Sequence, residues 1–305
     1  MAATPPFADV AIIGLGLIGS SIARAVREAM PDVRLAGYDA NADHRAQARS
    51  LQLADDIFET PQEAVKAADL IVFCVPVGAI GAAAAELQGH LKADAVISDV
   101  GSSKASVLAE LQAALPDHAI IPAHPVAGTE RSGPEAGFSS LFHNRWCILT
   151  PPDNVDPAQV DRLTQFWQAL GANVELMDAQ HHDLVLAVTS HLPHLIAYTI
   201  VGTASDLESV TRSEVIKYSA GGFRDFTRIA ASDPTMWRDV FLSNKDAVLE
   251  MLQRFSEDLT ALQRAIRWGD GDALFDLFSR TRAIRRSIIE EGQDDARPDF
   301  GRSPS

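Results

Sequence analysis

His124, within His124-Pro125-Val126-Ala127-Gly128-Thr129-Glu130, follows an apolar run and is the residue type whose proton affinity lies nearest neutral pH. A histidine there can take a proton from a substrate hydroxyl while hydride leaves the same carbon. A second patch after an apolar run, Asp99-Val100-Gly101-Ser102-Ser103-Lys104, offers Ser102 as a donor to orient either partner. Both have plainer readings: a polar strand-end histidine, and helix caps in Ser102 and Ser103 ahead of Ala105 to Leu115. Further along, Ser190-His191-Leu192-Pro193-His194 sets two histidines three apart, on roughly one face of a helix. His194 either lines a pocket shared with the first half of the chain or is a hydrogen-bonded core residue. Adding His181, His182 and Asp183 would make a metal site, but the spacing is too loose for a ligand pattern, and none is expected. Finally, Gly221-Gly222-Phe223-Arg224-Asp225-Phe226-Thr227-Arg228 places two arginines after paired glycines. Arg224 or Arg228 could clamp a carboxylate bidentately, which points to an acidic substrate, or could pair with Asp225 or Asp233 at the surface.

These residues need a hydride acceptor, and the N-terminal motif offers one. The apolar run Asp9 to Ile13 passes into Gly14-Leu15-Gly16-Leu17-Ile18-Gly19 and then into a helical pattern from Ser20 to Met30. With a strand before and a helix after, GxGxxG reads as a dinucleotide-binding turn. Gly14 allows the tight turn, Gly16 admits the pyrophosphate, Gly19 lets helix and strand close together, and the helix start at Leu17 and Ile18 faces the phosphates. Asp39 ends the next apolar run, 20 residues after Gly19, where a carboxylate accepts from a ribose 2′-hydroxyl and repels a 2′-phosphate. NAD is therefore favoured over NADP, although Arg45 and Arg49 are close enough in sequence to face a phosphate.

The elements that must position this chemistry are legible as well. Strands are expected near 9–14, 33–38, 69–75, 95–99 and 119–123, mostly followed by helices, and this alternation implies a parallel sheet covered on both faces. Trp146 to Leu149 and Asn173 to Met177 flank a helix from Pro157 to Leu170 and carry the first domain to residue 178. Beyond it helical periodicity dominates, over 181–208, 212–219, 235–268 and 270–290. The fold class is an α/β Rossmann-type N-terminal domain with a mostly parallel sheet, followed by an all-α C-terminal dimerisation domain over 179–290. Leu184 to Val201 is apolar almost all round, so it must be buried, most simply against a second copy, and a homodimer through the helical domain is expected. Residues 291–305 read as an acidic disordered tail.

A 305-residue chain with 47% hydrophobic and 22% charged residues can build two cores, and its net charge of −15 disfavours nucleic acid or an anionic membrane as partner. The two cysteines, Cys74 and Cys147, lie in apolar runs and read as buried thiols. Met1 to Ala8 carries no readable secretory signal, and polar residues interrupt the longest apolar run, so a cytoplasmic protein without a membrane span is expected.

The GxGxxG turn with Asp39, the Asp99–Lys104 patch, HPVAGTE, SHLPH and GGFRDFTRIA, in this order over roughly residues 9–290, resemble the prephenate/arogenate (cyclohexadienyl) dehydrogenase family. The resemblance implies NAD-dependent oxidative decarboxylation of prephenate, or arogenate, to 4-hydroxyphenylpyruvate or tyrosine in tyrosine biosynthesis. It implies that His124 accepts the proton of the ring hydroxyl and that Ser102 holds hydroxyl and imidazole in register. Arg228 would bind a substrate carboxylate, His194 would line the same pocket, and Arg224 and Asp225 would support its wall. Thr129, Glu130 and Trp237 would be further pocket residues. The chain is expected to be the free-standing form, without a mutase or ACT-like segment, and to use both substrates. The competing readings are a β-hydroxyacid dehydrogenase, an imine reductase, or a non-catalytic NAD-binding sensor.

Overall fold

The computed structural model describes residues 5–129, 131–206 and 221–290. Six parallel strands make the larger sheet: β1 (Asp9–Ile13), β2 (Arg34–Tyr38), β3 (Asp56–Ile57), β4 (Leu70–Phe73), β5 (Val96–Asp99) and β6 (Ala119–Ile120). Their spatial order is β3-β2-β1-β4-β5-β6. The connections are α1 (Leu17–Ala29), α2 (Ala42–Ser50), α3 (Pro61–Val65), α4 (Val77–Ala85) and α5 (Ala105–Ala114). The winding reverses between β1 and β4, and a sheet of this type opens its ligand crevice at the carboxyl ends of that pair.

Alternation along the central strands feeds two separate cores. Val10, Ile12, Leu35 and Val72 point to one face with Ile22 and Val26 of α1, while Ala11, Ile13, Ile71 and Phe73 point to the other with Val77, Ile80 and Leu111. Burial on both faces is why β4 reads as an unbroken apolar run. The two-residue β3 was not foreseen, being too short to carry a periodicity.

The strand expected over 119–123 is in fact two. Ile121 still donates to the Ile97 carbonyl, but Pro122 has no N–H to continue the ladder. The chain then leaves for a second sheet of β7 (Ala123–Pro125), β8 (Trp146–Leu149) and β9 (Asn173–Leu176). There β7 runs antiparallel to β8, and β8 parallel to β9. His124 thus sits inside a strand of the second sheet, not at the carboxyl end of a main-sheet strand. Helix α6 (Pro157–Ala169) links β8 to β9 and buries Phe166 and Trp167, with Phe166 edge-on to Phe7 at 6.1 Å.

After β9 no strand occurs among the described residues. Helix α7 (Ala179–Leu186) runs through one π-helical turn (Ala187–His191) into α8 (Leu192–Asp206), followed by α9 (Gly221–Thr227), a 3-10 turn (Arg228–Ala231) and α10 (Pro234–Ser243). The last helices are α11 (Lys245–Trp268) and α12 (Gly271–Glu290). The segment expected over 235–268 is broken at Asn244, which ends α10. The helix expected over 212–219 and the tail over 291–305 lie outside the described residues.

By contacts the chain forms two compact units, Met1–Val248 and Leu249–Ser305. In the first unit, packing continues past Asp178, because Trp237 and Val240 of α10 share a core with Ile71 and Phe73. The second unit exposes Leu259, Ile266, Trp268, Phe275 and Phe278.

The expected burial of Leu184 to Val201 on every side is not met within one chain, since Leu184, Val188, Ile200 and Val201 are exposed. Ala179–Asp206 is long and apolar enough to cross a membrane by length and composition. Yet it buries His182, Asp183 and His191, all hydrogen-bonded to protein groups. One face of this helical segment therefore belongs to a polar core.

The glycines of the first turn separate packing from access. Gly14 has φ +102°, and a Cβ there would lie 2.7 Å from the Cys74 carbonyl; one on Gly19 would lie 2.0 Å from the Gly14 carbonyl oxygen, whereas one on Gly16 would meet nothing within 4 Å. Gly19→Ala is expected to cost about 3 kcal/mol of stability by overpacking, and Gly16→Ala no more than about 1 kcal/mol. Urea unfolding of the two variants checks this, and equal losses would contradict it.

Candidate active site

At the carboxyl end of β1 the Gly14 N–H donates to the Tyr38 carbonyl at 2.7 Å, closing the turn onto β2. The Leu15 N–H donates to Oδ2 of Asp39 at 2.7 Å and the Asn41 N–H to its Oδ1 at 2.8 Å. The Asp39 carboxylate is thereby fixed beside the glycine turn, with His44 Nδ1 3.3 Å from Oδ2. Helix α1 begins at Leu17 with no side-chain cap and no acidic residue in its first turn. Its leading N–H groups, with the open space over Gly16, suit the pyrophosphate of a dinucleotide. Arg45 and Arg49, which could have faced a phosphate, both bond to Glu59, and Arg45 also donates to the Asp39 carbonyl at 2.8 Å.

Across the crevice lies a buried polar cluster. His124 on β7 is 7% exposed, and its Nδ1 is 2.9 Å from Nε2 of His182 on α7. Nδ1 of His182 is in turn 2.9 Å from Oδ1 of Asp183. The Asp183 carboxylate also accepts from the Lys104 N–H at 2.7 Å and the Ala105 N–H at 2.9 Å. It therefore caps α5, a role the sequence had offered to Ser102 and Ser103; a carboxylate from α7 reaches two N–H groups at once, and the side chain of Lys104, the N-cap residue, makes no capping bond. Ser103 instead donates to Ser243 of α10 at 2.9 Å.

Lys104 itself is fully buried. Its Nζ donates to Asp99 Oδ2 at 2.5 Å and to the Ala123 carbonyl at 2.7 Å, while the Gly101 and Ala123 N–H groups donate to the same carboxylate. Burial draws the lysine down and the carboxyl up toward neutrality, and these bonds oppose it. The pair anchors the chain one residue ahead of His124.

Burial first, then His182, Lys104 and His191, pushes the His124 imidazole well below its ordinary range. Burial likewise lowers His182, against the opposing Asp183, and takes His191 down to about 4. Asn244 holds this group together, donating to the Asp183 carbonyl at 2.7 Å and lying 3.1 Å from His191 Nδ1. Nothing in sequence pointed to Asn244; a polar residue ending a helix is unremarkable until its partners are known.

His194 stacks on Trp237 at 3.7 Å and donates Nδ1–H to the Ser190 carbonyl at 2.8 Å. Burial lowers it, and Arg228 is near enough to add to that effect. Arg228 is exposed at the start of the 3-10 turn, and Arg224 and Asp225 form an exposed pair at 3.6 Å. Thr129 is half-buried and accepts from the Arg131 N–H at 3.2 Å, Ser102 is half-buried in the loop after β5, and Glu130 lies outside the described residues. The fold thus joins His124 to His182, Asp183 and Lys104, and His194 to Trp237 and Arg228. Of the residues considered as metal ligands, His182 has both ring nitrogens in hydrogen bonds.

His124, His182 and His191 are all held in the neutral form, whereas an unfolded chain binds protons at histidine below about pH 6.5. Stability is then complete above that value and lost as pH falls toward about 4, the His191 value. The thermal midpoint should be level from pH 8 to 7 and fall below 6.5; a midpoint unchanged down to pH 5 would contradict it.

Comparison with known proteins agrees with this geometry. Residues 22–176 match the family described as prephenate dehydrogenase, nucleotide-binding domain, and residues 178–280 match prephenate dehydrogenase, dimerization domain. The chain is 46% identical over 282 residues to a cyclohexadienyl dehydrogenase of Zymomonas mobilis, covering 92% of this chain and 96% of that one. Its backbone is similar to prephenate dehydrogenase of Aquifex aeolicus in complex with hydroxyphenyl propionate and NAD+, with a TM-score of 0.86, 32% identity and coverage of 92% and 98%. Arogenate dehydrogenase of Synechocystis is similar at a TM-score of 0.78 and 26% identity, covering 92% and 99%. The chain belongs to the prephenate dehydrogenase family and is an NAD-dependent oxidoreductase of tyrosine biosynthesis that decarboxylates prephenate oxidatively.

Proposed function

We propose that His124 is the proton acceptor of this reaction, with Ser102 orienting the ring hydroxyl and Arg228 holding a substrate carboxylate. The observation that carries the reading is the buried His124 imidazole, pushed toward its neutral, proton-accepting form and fixed on β7 by groups on both sides. Bound NAD supplies the acceptor for the hydride. As hydride leaves the ring carbon that bears the hydroxyl, His124 takes the hydroxyl proton. When carbon dioxide departs, its bonding pair flows through the ring to that oxygen, which takes the proton back as the phenol forms. The reaction releases no net proton, so His124 has only to lend its nitrogen.

Gly14, Gly16, Leu17, Ile18 and Gly19 would hold the pyrophosphate, and Asp39 the adenosine ribose. NAD is preferred over NADP in this reading, because Arg45 and Arg49 are already engaged by Glu59 while Asp39 faces the turn. His194 and Trp237 would form one wall of the substrate pocket, with Thr129, Arg224 and Asp225 around it. Residues 1–178 serve the dinucleotide and 179–290 the substrate and a homodimer, supported by the exposed apolar residues of α8, α11 and α12. The two cysteines are free thiols, in keeping with a cytoplasmic enzyme. Use of arogenate beside prephenate is the second reading, favoured by the cyclohexadienyl relative and the arogenate dehydrogenase neighbour.

Reduced-cofactor formation by the purified protein, with prephenate or arogenate and with NAD or NADP, tests these assignments together. His124→Asn should lower kcat by about 100-fold to 10,000-fold. Arg228→Ala should mainly raise the prephenate KM, by about 10-fold or more. The kcat/KM profile should stay level through pH 6.5 and fall only at more acid pH, because His124 must be neutral. Similar losses of kcat and KM from both variants would refute the division of roles, and no turnover by a folded, NAD-binding protein would refute the assignments altogether.

A further inference from the structure

We propose that His182 and Asp183 are a positioning pair that fixes the tautomer of His124, with Nδ1 protonated and Nε2 left as the acceptor toward substrate. The inference rests on the reading of His124 as proton acceptor. It begins at Asp183, whose two oxygens already accept the backbone N–H groups of Lys104 and Ala105. A carboxylate so engaged offers His182 only acceptor lone pairs, so the 2.9 Å contact with His182 Nδ1 requires the proton on that nitrogen. A neutral imidazole carries one proton, so His182 Nε2 is then an acceptor. Its 2.9 Å contact with His124 Nδ1 in turn requires the proton on His124 Nδ1. The remaining His124 nitrogen, Nε2, holds the lone pair.

Free imidazole side chains do not settle a tautomer so firmly, and a His124 protonated at Nε2 could donate to a substrate hydroxyl but not accept from it. The pair therefore decides whether His124 is a base at all. The two rings meet edge to face, 73° apart with centroids at 5.1 Å, so the contact also sets the ring plane. Because the proton is returned within the same turnover, His182 has no need to carry it to solvent. An acceptor at the position of its Nε2 is sufficient. His182 is the position to vary, since Asp183 also caps α5.

Three variants and one spectrum form the test. His182→Leu should lower kcat by about 100-fold or more while the KM for prephenate and for NAD stays within about 3-fold. His182→Gln, whose carbonyl can occupy the Nε2 position, should return kcat to within about 10-fold of wild type. Nitrogen NMR of ¹⁵N-histidine-labelled wild-type protein, with His124→Asn for assignment, should find Nδ1 protonated and Nε2 bare at His124. The spectrum needs no variant at the His182 position, so poor folding of His182→Leu would not remove the test. Protonation at Nε2 in wild type, or a His182→Leu enzyme within about 3-fold of wild-type kcat, would overturn the proposal. If His124→Asn is inactive while His182→Leu is unimpaired, the positioning role alone fails; if His124→Asn turns over normally, the base assignment fails and takes this inference with it.

Discussion

The Asp183 carboxylate is the junction on which the site depends. It lies on the first helix after the strands and reaches two N–H groups at the start of α5, so the chain beyond residue 178 is fastened to the loop that follows β5. Both partners gain: α5 has no side-chain cap of its own, and a buried carboxylate without donors would be costly. The same oxygen that accepts from Lys104 faces His182, so helix capping and ring orientation are one arrangement. Asn244 closes it from the end of α10 by binding the Asp183 carbonyl.

Around this junction a second buried pair maintains the distance between the two sheets. Lys104 spans from Asp99 at the end of β5 to the Ala123 carbonyl at the start of β7, where Pro122 has just ended pairing to the main sheet. A break in a sheet exposes backbone groups that need partners, and here a charged side chain and a carboxylate supply them. This matters for the chemistry because His124 is the next residue. Its ring is held by His182, and the carbonyl of Ala123 just ahead of it by the lysine, in surroundings dry enough to keep imidazoles neutral.

Much of this was legible in the residues. The GxGxxG turn, the β-branched runs and the apolar stripe of α1 each follow from local rules, and their positions agree with the structure to within a few residues. Asp39 was singled out by its spacing, and the structure ties it to the Leu15 N–H beside the glycines. The strand break at Pro122 was missed although the proline was visible, because continuous apolar character over Ile120 to Ala123 masked it. Ser102 and Ser103 looked like caps because serine ahead of a helix usually is one; a carboxylate 79 residues away took the position, and no local pattern reports that. The long apolar helix was legible as needing a partner, while which of its faces the chain itself covers was not.

The sequence by itself determined the parallel character of the first sheet, the presence of a dinucleotide turn, the acidic character of the chain and the identities of the groups able to transfer a proton or grip a carboxylate. Those are properties of short windows, set by backbone sterics, hydrophobic period and side-chain chemistry. Only the tertiary structure decided which histidine contacts which, that Asp183 caps α5, that Lys104 is buried against Asp99, and that Trp237 stacks on His194. The reason is physical: a buried polar group takes whichever partner the fold brings within about 3 Å, and that proximity arises from packing between elements far apart in the chain.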